Sequence, residues 1–166
     1  MSLTTNVKLS LVATLTAALD LSTPADSLSY THNVALTSGT STGKADMLWH
    51  DQRTLAASAT ENLDLAGSLS NAFGATQTFA KIKAVGVFAA TGNTNDVQVT
   101  RDGTNGVPLF LAAGDGIAVK PGGAFWWIAP NTGITVTAAT GDLLVVTNSA
   151  GTTSVTYDIV VIGTSA

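Results

Sequence analysis

Cysteine is absent from the 166 residues, which excludes disulfides and thiolate metal sites and leaves the redox compartment unmarked. Charge is scarce as well. Asp, Glu, Lys and Arg make up 11% of the chain, where a soluble domain carries about 25%. Glu61 is the single glutamate, and the net charge is −4. The seven cations, Lys8, Lys44, Arg53, Lys81, Lys83, Arg101 and Lys120, never cluster beyond the pair Lys81/Lys83. Phosphate backbones are held by several cations releasing counterions together, so nucleic acid is not an expected partner. No run approaches the roughly 18 apolar residues of a membrane helix, and a membrane is not an expected partner either. The start, Met1-Ser2-Leu3-Thr4-Thr5-Asn6, lacks the basic and apolar regions of a signal peptide, so synthesis in a cytoplasm is expected.

What fills the chain instead is Ser and Thr, 39 together, with 16 Gly and a positive mean hydropathy. A free monomer keeps apart from its neighbours through mixed surface charge. A chain without that charge, dense in β-formers and turn residues, suits a place against other protein. Its length allows one full-sized domain, or a domain with an extension.

The first segment alternates over an unusual distance. Val7, Leu9, Leu11, Ala13, Leu15, Ala17, Leu19 and Leu21 are apolar, and mostly polar residues lie between them. Period two is a strand signal, and Thr14 and Thr16 disfavour the rival helix over Leu11–Leu19. A continuous strand over this stretch would reach about 50 Å, so it is either bent or broken, or it is an arm. Ser22–Asp26 reads as a turn, and alternation resumes at Leu28, Tyr30, His32, Val34 and Leu36. Thr37–Gly43 has the composition of a flexible linker. The expected organisation is residues 1–43 as a strand or hairpin arm with its linker, and residues 44–166 as a β-domain.

Within that domain, strands are expected at Ala45–His50, Ser58–Leu65, Phe79–Ala90, Asp96–Arg101, Pro108–Ala112, Gly116–Val119, Ala124–Ile128, Ile134–Ala138, Leu143–Asn148 and Ser154–Gly163. Gly67–Thr78 reads as a loop with room for one helical turn. Short strands at roughly 8–12-residue spacing with turn signals between them indicate an all-β antiparallel sandwich or barrel. The fold expected is an antiparallel β-sandwich with an N-terminal strand or hairpin extension. Val85–Ala90, Phe125–Ile128 and Ile159–Ile162 are apolar on both faces, where an antiparallel sheet leaves one face polar. They are either central strands covered by a loop or by the N-terminal hairpin, or strands with a subunit interface outside.

The residues that could carry chemistry are few. Asp46, His50 and Asp51 form the only ionisable cluster holding a histidine, but on a strand Asp46 and His50 lie over about 12 Å apart, too far for one metal. His32 falls on an apolar strand face and reads as a core or interface histidine. Asp102-Gly103, Gly114-Asp115-Gly116 and Gly141-Asp142 lack the alternating oxygens and closing glutamate of a calcium loop and read as turns. No G-x-S-x-G elbow or Gly-Lys phosphate cradle is present. No catalytic residue, metal or cofactor is therefore expected, and the chain does not read as an enzyme. Trp49 and the pair Trp126-Trp127 invite comparison with sugar-stacking modules, but neighbours on a strand point to opposite faces, so one of the pair at most joins any platform. The expected interface residues are Val7, Leu9, Leu11, Leu15, Leu19, Trp126 and Trp127.

The C-terminal half carries a further pattern. Leu109-Phe110-Leu111 leads into Gly114-Asp115, then Val119-Lys120-Pro121-Gly122-Gly123 and a hydrophobic strand ending at Ala129-Pro130. Ile134–Ala138, Gly141–Asn148 and Val155–Thr164 follow. Over residues 79–166 this resembles the small β-rich structural proteins of tailed-bacteriophage virions, of the head-decoration or minor capsid kind. The resemblance rests on turn-and-strand style. It implies that the sandwich is jelly-roll-like, and that the protein sits on the capsid surface and decorates or cements the shell through non-covalent contacts. The implied partners are the major capsid protein, other virion proteins and copies of itself, with a trimer as the first expectation. The alternative is a receptor- or glycan-binding module of a tail or head fibre.

Overall fold

The computed structural model describes residues 2–166, and among them every regular element is a strand. The strands are β1 (Thr5–Thr16), β2 (Ala25–Ser38), β3 (Lys44–Ala45), β4 (Met47–Leu55), β5 (Thr60–Asp64), β6 (Leu69–Ser70) and β7 (Thr76–Gln77). After them come β8 (Lys81–Ala89), β9 (Val97–Thr100), β10 (Gly116–Val119), β11 (Ala124–Ile128), β12 (Ile134–Thr135), β13 (Leu143–Asn148) and β14 (Val155–Thr164). The chain is all-β, as its composition and turn spacing predict.

Eight strands form two sheets, in the orders β11-β8-β14-β4 and β10-β9-β13-β5, with β12 added to β8. The pairing is nested. β4, the first of the eight, pairs with the last, β14; β5 pairs with β13, β8 with β11 and β9 with β10, all antiparallel. β14 also pairs with β8, and β13 with β9, which closes each sheet. Alternate residues meet between the sheets: Val85 and Val87, Ile159 and Val161, Val97 and Val99, Leu144 and Val146, all buried. This is the core of a β-sandwich.

The other face of the β11-β8-β14-β4 sheet is apolar around Ala84, Val160 and Ile162, where the N-terminal hairpin covers it, and polar beyond, where Gln52 bonds to Asp158 and Thr54 to Thr156. Val7 of β1 and Leu36 of β2 pack with Ala45 onto Ala84 and Ile162, flanked by Leu3, Val34, Ile128 and Val160. Of the two explanations for strands apolar on both faces, cover by the N-terminal hairpin is therefore found at Ala84, Val160 and Ile162.

Several local expectations are corrected. Pro108–Ala112 is no strand. Arg101 Nη1 donates to the carbonyls of Phe110 and Leu111, at 3.0 and 2.8 Å, and Asp115 Oδ2 accepts from Ala112 N–H at 2.8 Å. Side chains thus satisfy backbone groups that a strand would pair. Ile134–Ala138 is strand only at Ile134–Thr135, because the chain turns at Thr137–Gly141, where Ala139 has φ 65°. Gly67–Thr78 contains no helical turn but the short hairpin β6–β7, shaped by Asn71 Oδ1, which accepts from Phe73 and Ala75 N–H. The first hairpin turns at Leu19–Ser22, earlier than the expected Ser22–Asp26, and Ala17 N–H still reaches the Pro24 carbonyl. Thr37–Gly43 is no free linker: β2 runs through Ser38 and pairs in parallel with β3. Gly39 N–H donates to Ala45 O, and Gly43 N–H to Pro130 O.

One end of the sandwich is fastened by two buried amides. Asn148 Nδ2 donates to the carbonyls of Thr153 and Ala56, at 2.8 and 3.0 Å, while its Oδ1 accepts from Asn95 Nδ2 at 3.0 Å. Replacing Asn148 by Ala strands these buried groups. The expected loss is roughly 2–4 kcal/mol of folding stability, since several partners go unsatisfied at about 1–3 kcal/mol each before relaxation. Urea denaturation read by circular dichroism checks it.

Candidate protein-binding arm

β1 and β2 pair over their whole length, from Thr5↔Leu36 to Thr16↔Ala25. Opposite residues of an antiparallel pair share a face, so the face holding Val7 and Leu36 continues outward. It carries Leu9 beside His32, Leu11 beside Tyr30, Ala13 beside Leu28 and Leu15 beside Asp26. The reverse face is mostly polar, with Lys8 against Asn33, Ser10 against Thr31 and Thr14 against Ser27, and Val12 against Ser29 as its one large apolar side chain. Only the base is buried. From Val7 to Thr16 the ribbon extends about 30 Å at ~3.3 Å per residue, and Leu9, Leu11, Leu15, Leu28 and Tyr30 are each at least 51% exposed. The sequence's alternative of an arm is the one realised, and the strand is uninterrupted for 12 residues.

A cleft of about 220 Å³ opens where the arm leaves the sheet, lined by Val7, Lys8, Leu9, His32, Trp126 and Ile128. Trp126 is laid down by β8. It pairs in register with Gly86, and a Cβ at Gly86 would stand 2.8 Å from two indole carbons and 3.0 Å from a third. Three adjacent ring atoms at nearly one distance mean that the indole lies flat over the glycine. Phe88 meets the ring edge-on, with centroids 5.1 Å apart. Only glycine leaves room for this.

The expected interface residues therefore divide. Leu9, Leu11 and Leu15 share the exposed face, Val7 anchors its base, Leu19 lies exposed at the tip, and Trp126 walls the cleft. Trp127 does not join them: it points between the sheets and packs on the core, as strand alternation requires. Sequence reasoning left Leu28 and Tyr30 out of this surface and gave His32 as a core or interface histidine without placing it here. Their period-two pattern was visible, but the pairing register was needed to place them beside β1.

Several acidic groups are engaged in other parts of the domain. Asp46 and His50 line one groove of about 480 Å³ beside Leu3, Leu48 and Phe73, but the Asp46 carboxylate accepts from Ser165 N–H and Oγ–H, at 2.9 and 2.6 Å. Asp102 accepts from Thr104 and Asn105 N–H. The Asn105 and Thr104 backbone amides hold its carboxyl below the usual carboxylate range. Asp142 likewise accepts from Ala139 N–H. Among the described residues no three His, Cys, Asp or Glu side chains converge as a metal site would require.

The remaining polar cluster closes the edge where β4 and β5 face each other. Arg53 Nε lies 3.2 Å from Asp51 Oδ2 and 3.9 Å from Glu61 Oε2, with its guanidinium 5.8 Å from the Trp49 ring centre. The buried Tyr157 hydroxyl donates to Glu61 Oε1. Burial, and then the Glu61 carboxylate, push the Tyr157 hydroxyl far above the ordinary tyrosine range. Arg53 is ion-paired with both carboxylates and Tyr157 is bonded to Glu61, so the cluster reads as a structural edge seal.

No protein-family model matches the chain, and no curated protein matches it either. Among the described residues no helix is long and apolar enough to cross a membrane.

Two outcomes follow from this geometry. Leu36→Ala should cost roughly 2–5 kcal/mol, the range for a buried leucine, whereas Leu11→Ser and Leu15→Ser should change the stability of the single chain, melted in solution too dilute for self-association, by less than about 0.5 kcal/mol, as for surface sites. Thermal melts of the three variants test the contrast. For Tyr157, the unfolded chain releases the hydroxyl proton near pH 10 while the folded chain keeps it. The stabilisation is thus complete below about pH 10 and falls above it by up to about 1.4 kcal/mol per pH unit. Urea titrations from pH 9 to 11.5 should show that slope, and Tyr157→Phe should remove it.

Proposed function

We propose that the protein is a structural component of a tailed-phage virion, which decorates or cements the capsid shell by laying the apolar face of its arm on other protein. The observation that carries this reading is the arm itself: a leucine-rich ribbon anchored at one end and uncovered along the rest. A lone hairpin is marginal in water, and contiguous exposed apolar surface marks an interaction site. The nested strand pairing, first with last through fourth with fifth, supports the jelly-roll-like reading of the sandwich, since two Greek keys wrap into two four-stranded sheets in this way. That order agrees with the virion resemblance of residues 79–166. The scarcity of charge, the uncovered arm and the self-satisfied polar clusters all favour assembly over catalysis. The partners in this reading are the major capsid protein and other copies of the chain, on the capsid surface.

A second reading rests on Trp126, whose flat, half-exposed indole is a surface on which a sugar ring of a receptor stacks. Titration with neutral oligosaccharides, followed by tryptophan fluorescence, distinguishes it: saturable quenching lost in Trp126→Ala favours a fibre module.

The main reading is tested by shortening the arm without disturbing its base. Leu9 and His32 are cross-strand partners and one of the hydrogen-bonded pairs that alternate along the ribbon out to Ala17 and Pro24, so residues 10–31 can be replaced by Asn-Gly, which favours a tight hairpin turn closed by such a pair. The shortened chain should melt within a few degrees of the full chain, roughly the shift of a ~1 kcal/mol change, and be missing from purified phage particles. Incorporation at the normal stoichiometry would overturn the reading.

A further inference from the structure

We propose that the apolar face of the arm is covered by the arm of a second copy, packed face to face and antiparallel about a two-fold axis. This rests on reading the arm as an assembly element, and it specifies the occupant. The first argument is steric. The face that is free along the arm is the same face that packs on Ala84 and Ile162 at its base. Each copy's sandwich therefore occupies the space in front of that face at the base end. Two arms meeting in parallel would bring both sandwiches into the same space. Meeting antiparallel, the sandwiches lie at opposite ends and on opposite sides, and the free lengths overlap.

The second argument is self-complementarity. With the axis through the Val12↔Ser29 pair, Leu9 of one copy faces Leu15 of the other, and Leu11 faces Ala13. On β2, Tyr30 faces Leu28 and His32 faces Asp26. The one carboxylate of the face thus meets an imidazole with Lys8 nearby, where a parallel bundle would gather the carboxylates together. Isologous interfaces require this kind of self-pairing. The two-fold pair displaces the trimer as the expected assembly.

The cleft and the area agree. Beyond Leu15 the tip turns at Leu19–Ser22, with Leu21 fully exposed. In the antiparallel pair this tip arrives at the base of the other arm, where the Trp126 cleft is open. The five large side chains of the face offer on the order of 600 Å² per copy, and the tip leucines with Trp126 raise this past the roughly 800 Å² per partner of a stable interface.

The test uses the full-length chain. Sedimentation should give a dimer at micromolar concentration, and Leu11→Asp should weaken it by at least about 100-fold, because the dimer would bury an unpaired charge. Val12→Asp, on the reverse face, should leave it unchanged. Circular dichroism checks that Leu11→Asp is folded; Leu15→Asp, at a site 75% exposed, serves if it is not. The absence of native cysteine makes cross-linking unambiguous. With a short bifunctional thiol cross-linker, which spans the roughly 10 Å between packed sheets that a direct disulfide cannot, a mixture of Leu9→Cys and Leu15→Cys chains should form the mixed covalent dimer, and neither variant alone should cross-link. A monomeric full-length chain, a Leu11→Asp dimer of normal strength, or cross-linking of Leu15→Cys to itself would overturn the proposal. If the chain is monomeric but enters particles through its arm, the pairing fails and the virion reading stands. A dimer never found in particles separates them the other way.

Discussion

Everything outside the core depends on how the outer face of the β11-β8-β14-β4 sheet is covered. That face presents Ala84, Val160 and Ile162 where an ordinary sandwich would present polar side chains. Uncovered, they would be a sticky patch in the middle of a sheet. Val7 and Leu36 cover them, and in doing so they set the direction in which the rest of the hairpin leaves the domain. The short parallel pairing of β2 with β3 and the tie from Gly43 to Pro130 hold the same junction from the other side. The arm is therefore a rooted projection whose exposed face has a defined relation to the sandwich. Only because of that relation can steric reasoning choose between parallel and antiparallel partners.

Small residues on β8 do the complementary work. Ala84 lets the hairpin base approach the sheet, and Gly86, one pleat further, lets the Trp126 indole lie flat. Between them they create an edge that is covered on one side and open on the other. The cleft beside Trp126 follows from a sheet whose outer face changes from filled to hollow within two residues. Phe88 then bounds the hollow by meeting the indole edge-on.

Polar groups inside the domain are spent on closure. The Asn95–Asn148 amides fasten one end, and Glu61, Arg53 and Tyr157 seal the edge between β4 and β5. Arg101 supports the loop that follows β9 by bonding to its carbonyls. A chain with so few charges uses them mostly within itself, and what remains on the arm's free face is almost entirely apolar.

The sequence by itself determined the fold class, the two-faced character of the first hairpin and the apolar nature of β8, β11 and β14. Each is a matter of local pattern, because period-two alternation and turn residues act over a few positions. It also separated Trp126 from Trp127, since strand geometry places neighbours on opposite faces. Tertiary structure decided the rest. Pro108–Ala112 looks like a strand until Arg101 is seen taking its carbonyls, and Thr37–Gly43 looks like a tether until Pro130 is seen holding it. The length over which the hairpin is buried depends on where the sheet beneath it ends, and alternation continues unchanged across that edge. Likewise His32, Tyr30 and Leu28 became part of one surface with Leu9, Leu11 and Leu15 only through register, which joins residues distant in the chain by hydrogen bonds that no local pattern specifies.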